Sequence, residues 1–547
     1  MRTAITRGLL FGVVGLHLAV VGVLLMLHQR WIVVGTISLG QAALALLAIG
    51  AGVMAGSRRL SLGVIAGMAA SLPPALLLLA MDFIPLQSVF IALSHDLFQM
   101  LSFGQGITRG VVILVAGGVA GGAAGALLRQ SPAMVRRALI AGASAVVVGG
   151  VFQELIQLMV QFEGPVGDVR DFFYTWDGLS PEGAVAIFIL AAGIATVREA
   201  VRSAAVPTQQ QRQRQRMIRA LLCLAGLALL PALAGSYIGQ VLMLVGLYIL
   251  MGMGLNLEVG LAGLLDLGFV AFFAVGAYAT ALLTGDNAHA LMHLSYWAAM
   301  PIAVLLSVCM GIVFGLPVLG VRGDYLAVAT MGLGEIVRVI VLSDFASPLL
   351  GGAQGLLQIP KPALGGFSFS SPVSLFYLTL VASGVAAFVA WRLENSRLGR
   401  TWMALRDDED VAQALGINLI RSKLLAYGLG AAFAGLAGSI FAVMLGSVYP
   451  SSFQLLISIN VLALIIVGGM GSLPGVALGS IALIGLPELL REFGEYRYLF
   501  YGAVLVIMMR LRPEGLWPSE ARRRELHSSD EALALDAGSD LLPAQRS

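Results

Sequence analysis

Charge is scarce in this chain. Only 12% of its 547 residues are Asp, Glu, Lys or Arg, and lysine occurs only at Lys361 and Lys423. Neither lysine follows a glycine, so the chain lacks the GxxxxGK[ST] loop that cradles nucleotide phosphates. The 2 cysteines, Cys223 and Cys309, lie far apart inside apolar runs. That placement gives no disulfide framework and no metal-ligand spacing, and it suits small buried hydrophobes. The 6 histidines are scattered through loops and span ends. No paired intramembrane aspartates and no Ser/His arrangement stand out. The sequence therefore offers no catalytic residue, no metal site and no cofactor site, and the expectation is a protein that is not an enzyme.

Apolar residues are what the chain has in excess: 58% are hydrophobic and the mean hydropathy is +0.91. A bilayer core takes roughly 20 apolar residues per helical crossing, and the sequence supplies such runs repeatedly. Their continuous Leu, Val, Ala and Gly content argues for helices, because barrel strands would alternate apolar with polar. The fold class expected is all-α, a polytopic helical membrane protein of about 16 spans, some re-entrant. Six fall in the first block, near 8–27, 32–54, 60–81, 106–128, 138–161 and 183–201. The run near Gly8 to Leu27 lacks a small-residue cleavage site and is expected to be retained. Arginine clusters at Arg2/Arg7, Arg58/Arg59, Arg129/Arg136/Arg137 and Arg198/Arg202 alternate with an acidic connection, 163–182. The positive-inside rule then places both ends of this block in the cytoplasm. The stretch 86–101 is too polar to cross and is expected as an interfacial helix.

A Gln/Arg run, "VPTQQQRQRQRMIR" (206–219), follows the block 1–205. It has no apolar periodicity and is expected to be a cytoplasmic linker touching anionic lipid rather than nucleic acid. The second block, 220–517, carries about ten further runs: 220–235, 237–257, 268–284, 297–319, 324–342, 372–392, 424–446, 453–469, 475–490 and 496–511. Glycine interrupts it at 256–268 and 468–475, which marks these as re-entrant or discontinuous. The polar tail 518–547 is expected to be disordered.

Between two apolar runs lies "ALRDDEDVAQALGINLIRSK" (404–423), the densest charge in the second block. A helix starting at Asp407 would place Asp407, Asp408, Glu409 and Asp410 in its first turn, where negative charge complements the helix dipole. Val411, Leu415 and Leu419 recur at i, i+4 and i+8, with Ala412 beside them. Gly416 falls where a left-handed cap ends a helix, followed by apolar Ile417. So short a helix needs a partner surface: its own protein, the lipid interface, or a groove on another protein.

Asp410 to Gly416, "DVAQALG", resembles the EAA-type coupling motif of ABC importer permeases, with Asp410 for the usual Glu and Val411 for the first Ala. The surrounding 220–517 is similar to the M-type permease of branched-chain amino acid ABC transporters. The resemblance runs through "GLNLEVGLAGLLDLGFVAFFAVGAYATALL" (254–283), "VRGDYLAVATMGLGEIVRVI" (321–340), "GGAQGLLQIP" (351–360), 405–442, "IIVGGMGSLPGVALG" (465–479) and "LRPEGL" (511–516). It implies one channel-forming half of an importer in the cell membrane. Such a half pairs with a second homologous permease, binds two cytoplasmic ABC ATPase subunits and receives solute from an extracytoplasmic solute-binding protein. Arg406 to Ile417 would then be the ATPase coupling helix, through which nucleotide-driven motion enters the spans.

Polar groups inside spans are the candidates for the solute pathway. Asn256 and Asp266 flank the glycine-rich "LEVGLAGLLDLG", where a broken helix could meet the carboxylate and ammonium of a zwitterion; Glu258 and Asp266 could equally sit at the cytoplasmic boundary. Where Glu258 stands the family usually has an apolar residue. Glu335 and Arg338, at i, i+3, suit an intrahelical pair. Asn460 either donates into the pathway or bridges helices. Two other functions stay open: an ion-coupled secondary transporter or channel, and an ABC permease for another small polar solute such as urea, an amide or an aromatic acid.

Overall fold

The computed structural model describes residues 1–55, 59–84, 87, 90, 92–153, 156–157, 170–204, 209–286, 289–318, 320–321, 323–491, 496–512 and 514–518. Arg58, Glu163, Asp168, Arg322 and the expected tail beyond Pro518 lie outside these residues. The chain forms two units, Met1–Cys223 and Leu224–Ser547. Among the described residues, 11 helices are long and apolar enough to cross a membrane. Three further apolar helices, Leu39–Met54, Val270–Thr284 and Leu473–Leu489, are shorter.

In the first unit, backbones approach through glycine. A methyl at Gly67 would lie 2.1 Å from the Gly118 carbonyl oxygen, and one at Gly122 would lie 2.2 Å from that of Gly63. Helices Leu60–Phe83 and Ile107–Gln130 are therefore in direct backbone contact, the packing that small residues permit in lipid. The stretch 86–101, expected as an interfacial helix, is helical over its second half. An eight-residue helix, His95–Ser102, buries Leu97, Met100 and Leu101 against its own unit, while 86, 88, 89 and 91 lie outside the described residues. A small sheet also departs from the all-helical expectation: Trp31–Val33 pairs antiparallel with Ile37–Ser38 and parallel with Gly178–Leu179, which pairs in turn with Tyr174–Thr175.

The run 206–219 is helical from Gln209 onward, and 206–208 lie outside the described residues. Gln and Arg are good helix formers even where no apolar stripe exists. Helix Gln209–Leu255 is interrupted at Gly235 (φ 82), so the expected boundary between 220–235 and 237–257 survives as a kink.

The second unit is built around helix Leu419–Leu445, against which Val270–Thr284 and Tyr296–Val318 pack. Glycine again sets the distances. A methyl on Gly438 would lie 2.0 Å from the Phe273 carbonyl oxygen, and one on Gly276 would lie 2.2 Å from that of Gly435. Phe273, Phe441 and Phe453 fill one end of this core with tilted and edge-on ring contacts. Both expected interruptions are present. A π-helical turn, Asn256–Leu261, ends the first span of the unit, and 262–269 then runs without regular structure. Helix Leu455–Gly468 ends at Gly469 (φ 120), before Leu473–Ser480 begins.

Candidate functional site

The charged stretch folds as two helices with a corner between them. Helix Arg397–Asp407 begins at Ser396, whose hydroxyl accepts from the Gly399 amide. Its end is at Asp407, so the expected helix start at Asp407 is corrected by two residues. Asp408 turns extended (φ −159, ψ 116) and caps a short helix, Glu409–Ala414, its carboxylate accepting from the amides of Asp410 (2.8 Å) and Val411 (2.9 Å). A carboxylate that accepts two orphan amides outcompetes the extra helical turn it interrupts. The expected ending is present: Gly416 adopts φ 87, and the Ile417 amide donates to the Ala412 carbonyl at 3.1 Å. Asn418 then caps the long helix Leu419–Leu445 through its side-chain oxygen.

The short helix presents two faces. Ala412 is buried on the unit, at 1% exposure, whereas Val411 (55%) and Leu415 (76%) project outward. The apolar stripe thus lacks a cover along the two residues best suited to fill a pocket.

The corner is clamped to the spans. The Lys423 ammonium, 5% exposed, pairs with Glu409 at 2.7 Å. Trp402 is fully buried, its indole N–H donating to the Ser422 carbonyl at 2.9 Å. Arg406 donates to the Gly260 carbonyl at 2.9 Å, inside the π-helical turn. Gly263, at φ 72, accommodates the Arg406 side chain where a methyl would stand 2.7 Å from its Cγ. The corner is thereby tied to two places: the start of Leu419–Leu445 and the end of the span that leads into the first helix break. Lys361 serves the far end of Leu419–Leu445, donating to the carbonyls of Val443 (2.6 Å) and Met444 (2.8 Å). Burial pushes its ammonium below the ordinary lysine range. The two lysines of the chain thus secure opposite ends of one helix.

At the breaks, the Asn256 side-chain oxygen accepts from the Gly471 amide at 2.8 Å, joining one interruption to the other. Asp266 accepts from the Gly268 amide at 2.7 Å, and Thr330 accepts from the Leu267 amide at 3.0 Å. Glu258 is fully buried, with its carboxyl against that of Asp266. Its carboxyl fills the face of Gly430, where an added methyl would overlap Oε1. Asn256 thus joins the break at Gly471, and Asp266 the turn at Gly268 beside Glu258 and Thr330. Glu335 and Asn460 are elsewhere. Glu335 pairs with Arg338 on its own helix, Nε donating at 2.9 Å, with both side chains partly exposed. Asn460 lies against the Tyr248 hydroxyl and links two helices.

Replacing Glu258 by Gln tests how that carboxyl is held. An amide of the same shape keeps a hydrogen-bonding group beside Asp266 and removes a potential second negative charge, so thermal unfolding in detergent is expected to be unchanged or to rise by about 1 kcal/mol. Gly430→Ala, which drives a methyl into the same carboxyl, is expected to cost about 1–3 kcal/mol.

Lys423 and Trp402 were missed from sequence. A lysine at the mouth of an apolar run was the available signal, because such a charge needs a partner.

A polytopic helical unit with broken spans and an outward-facing, clamped surface helix is the architecture of a membrane transport permease. Residues 237–509 match the family model of the branched-chain amino acid transport system permease component. The chain is 41% identical over 305 residues to the high-affinity branched-chain amino acid transport system permease protein LivM of Salmonella typhimurium, covering 52% of this chain and 70% of that protein. It is 40% identical over 337 residues to LivM of Escherichia coli K12, covering 53% of this chain and 78% of the relative. A probable LivM of Methanocaldococcus jannaschii is 23% identical, with 94% of its length covered. No solved structure matches the chain. The chain belongs to the branched-chain amino acid transport system permease family.

Proposed function

We propose that this chain is one permease subunit of an ABC importer for branched-chain or related amino acids, and that Asp408–Ile417 is its docking element for a cytoplasmic ATPase. The observation that carries this reading is the pairing of opposites within one short helix: Val411 and Leu415 exposed, and Glu409 locked onto Lys423. An outward knob on a rigid mount suits force transfer, whereas a helix lying on lipid would keep its apolar side chains against the membrane and its acids away from anionic headgroups.

On this reading 394–423 faces the cytoplasm, in agreement with Arg392, Arg397, Arg400 and Arg421 around it. Two ATPase subunits supply nucleotide hydrolysis, a second homologous permease completes the pathway, and an extracytoplasmic binding protein delivers the solute. The chain moves solute and does no covalent chemistry on it. The block 1–205 lies outside the matched region and takes no assigned part in transport. Co-purification from cells expressing chain, partner permease and ATPases tests the docking: a complex holding both ATPase copies is expected, and a chain that purifies without them contradicts it.

A further inference from the structure

The first unit holds a cavity of about 260 Å3 among four helices, Arg2–Val20, Leu39–Met54, Leu60–Phe83 and Ile107–Gln130. Glycine sets its floor. A methyl on Gly125 would lie 2.2 Å from the Ile49 carbonyl oxygen, and one on Gly121 would lie 2.8 Å from the Ala48 Cβ. Helices Leu39–Met54 and Ile107–Gln130 therefore touch there; toward their starts they part, and Leu44, Ala45, Ile113 and Gly117 line the gap. No Asp, Glu, Lys, Arg or His lines the cavity, so an ion or a zwitterion would be buried without a counter-charge. Its polar side chains are Thr36, Gln41 and Ser71. The Ser71 hydroxyl donates within its own helix, to the Met68 carbonyl. Gln41 closes a capping box: its side-chain oxygen accepts from the Ser38 amide at 3.1 Å, and its backbone amide donates to the Ser38 hydroxyl at 3.2 Å. Its side-chain NH2 keeps no partner among the described residues and offers donors to a neutral acceptor such as a carbonyl.

The entrance faces lipid. Gly117 lines the cavity, is exposed, and a side chain there would meet open space. It stands about ten residues into Ile107–Gln130, roughly 15 Å along the span, at the depth of bilayer hydrocarbon. An apolar protein cavity of about 150 Å3 stays dry and binds benzene, and on that scale this one holds roughly ten carbons. We infer that the cavity binds one acyl chain of a membrane phospholipid, its methylenes between Leu44, Ala45, Ile113 and Gly117 and its ester carbonyl accepting from the Gln41 side-chain NH2. A free fatty acid has the same chain, but its carboxylate would be buried with no cation beside it. The bound chain fills the gap above the glycine contact. It thereby fixes the spread of helices Leu39–Met54 and Ile107–Gln130 and stabilises the first unit, as any ligand of the folded state does.

The test uses the full-length chain, stripped of lipid in detergent, and a phosphatidylethanolamine with a diazirine near the ester end of one acyl chain. Light-driven labelling is expected to saturate and to map to Leu39–Met54 and Ile107–Gln130. Unlabelled diester phospholipid is expected to compete about fivefold better than its dialkyl ether analogue, which lacks the carbonyls, as one neutral hydrogen bond implies. Gln41→Met keeps the length and removes the donors. It is expected to erase that preference while the ether competes as in the parent, a split that a merely structural defect would not produce. Ala45→Phe and Gly117→Phe, which narrow the cavity at its wall and its mouth, are each expected to abolish saturable labelling. Gly117 is exposed, so its variant is expected to melt like the lipid-free parent. Saturable labelling that persists in both variants, or that maps to other segments, would overturn the site. Equal competition by ester and ether in the parent would overturn the part given to Gln41. Decanoate competing as well as the phospholipid would overturn the phospholipid as occupant.

Discussion

Aspartate at both Val411 and Leu415 is expected to abolish ATPase co-purification and ATP-driven uptake while leaving the fold of the chain intact. Both side chains are mostly exposed, at 55% and 76%, so a polar replacement removes little packing from the subunit itself. Surface substitutions of this kind stay within about 0.5 kcal/mol in stability. At an interface the balance reverses. Burying each of these side chains contributes about 1.5–3 kcal/mol, and aspartate adds the desolvation of a charge. The pair together amounts to a loss of affinity of at least about a hundredfold. Thermal unfolding of the purified chain, set beside pull-down of the ATPases, separates the two effects. A parent-like pull-down would remove the docking role from this helix.

Glu409→Ala is expected to produce the largest loss of stability among single substitutions in this region. It leaves the Lys423 ammonium, 5% exposed, without its carboxylate. Removing one member of a buried ion pair costs about 3–5 kcal/mol, and the lower end applies because a quarter of the Glu409 side chain is open to solvent. Adding Lys423→Met removes the stranded charge and is expected to restore most of the midpoint in a thermal melt. Function separates from stability here. The double variant keeps Val411 and Leu415 but lacks the link to helix Leu419–Leu445, so ATPase binding is expected to persist while uptake falls. If the double variant transports like the parent, the clamp is only a fold element.

The short helix Glu409–Ala414 was largely legible in sequence because its signals are local. Capping acids, the i, i+4 apolar pair and a left-handed glycine each act within one turn, and they marked the ending at Gly416, while the start expected at Asp407 falls at Glu409. The two-residue error at Asp407 has a physical cause. Acids at a helix start favour helix and cap alike, and only the bonds from Asp410 and Val411 to the Asp408 carboxylate decide between them. The clamp was not legible, since Glu409 and Lys423 meet only after the chain reverses at Gly416. The breaks were visible as glycine within apolar runs, but their joining through Asn256 and Gly471 spans 215 residues and leaves no local trace. The strands at Trp31–Val33 and Gly178–Leu179 are too short for an alternating pattern. The Glu335–Arg338 pair was legible from its i, i+3 spacing, whereas the contact of Asn460 with Tyr248 joins residues far apart in sequence and left no local trace.

The most direct measurement is leucine uptake into sealed vesicles carrying this chain, its partner permease and the binding protein, with and without the ATPase subunits. The account predicts accumulation only when ATPases and ATP are both present, with no response to an imposed proton or sodium gradient. Gradient-driven accumulation in vesicles free of ATPase would contradict it and make the chain a self-powered transporter.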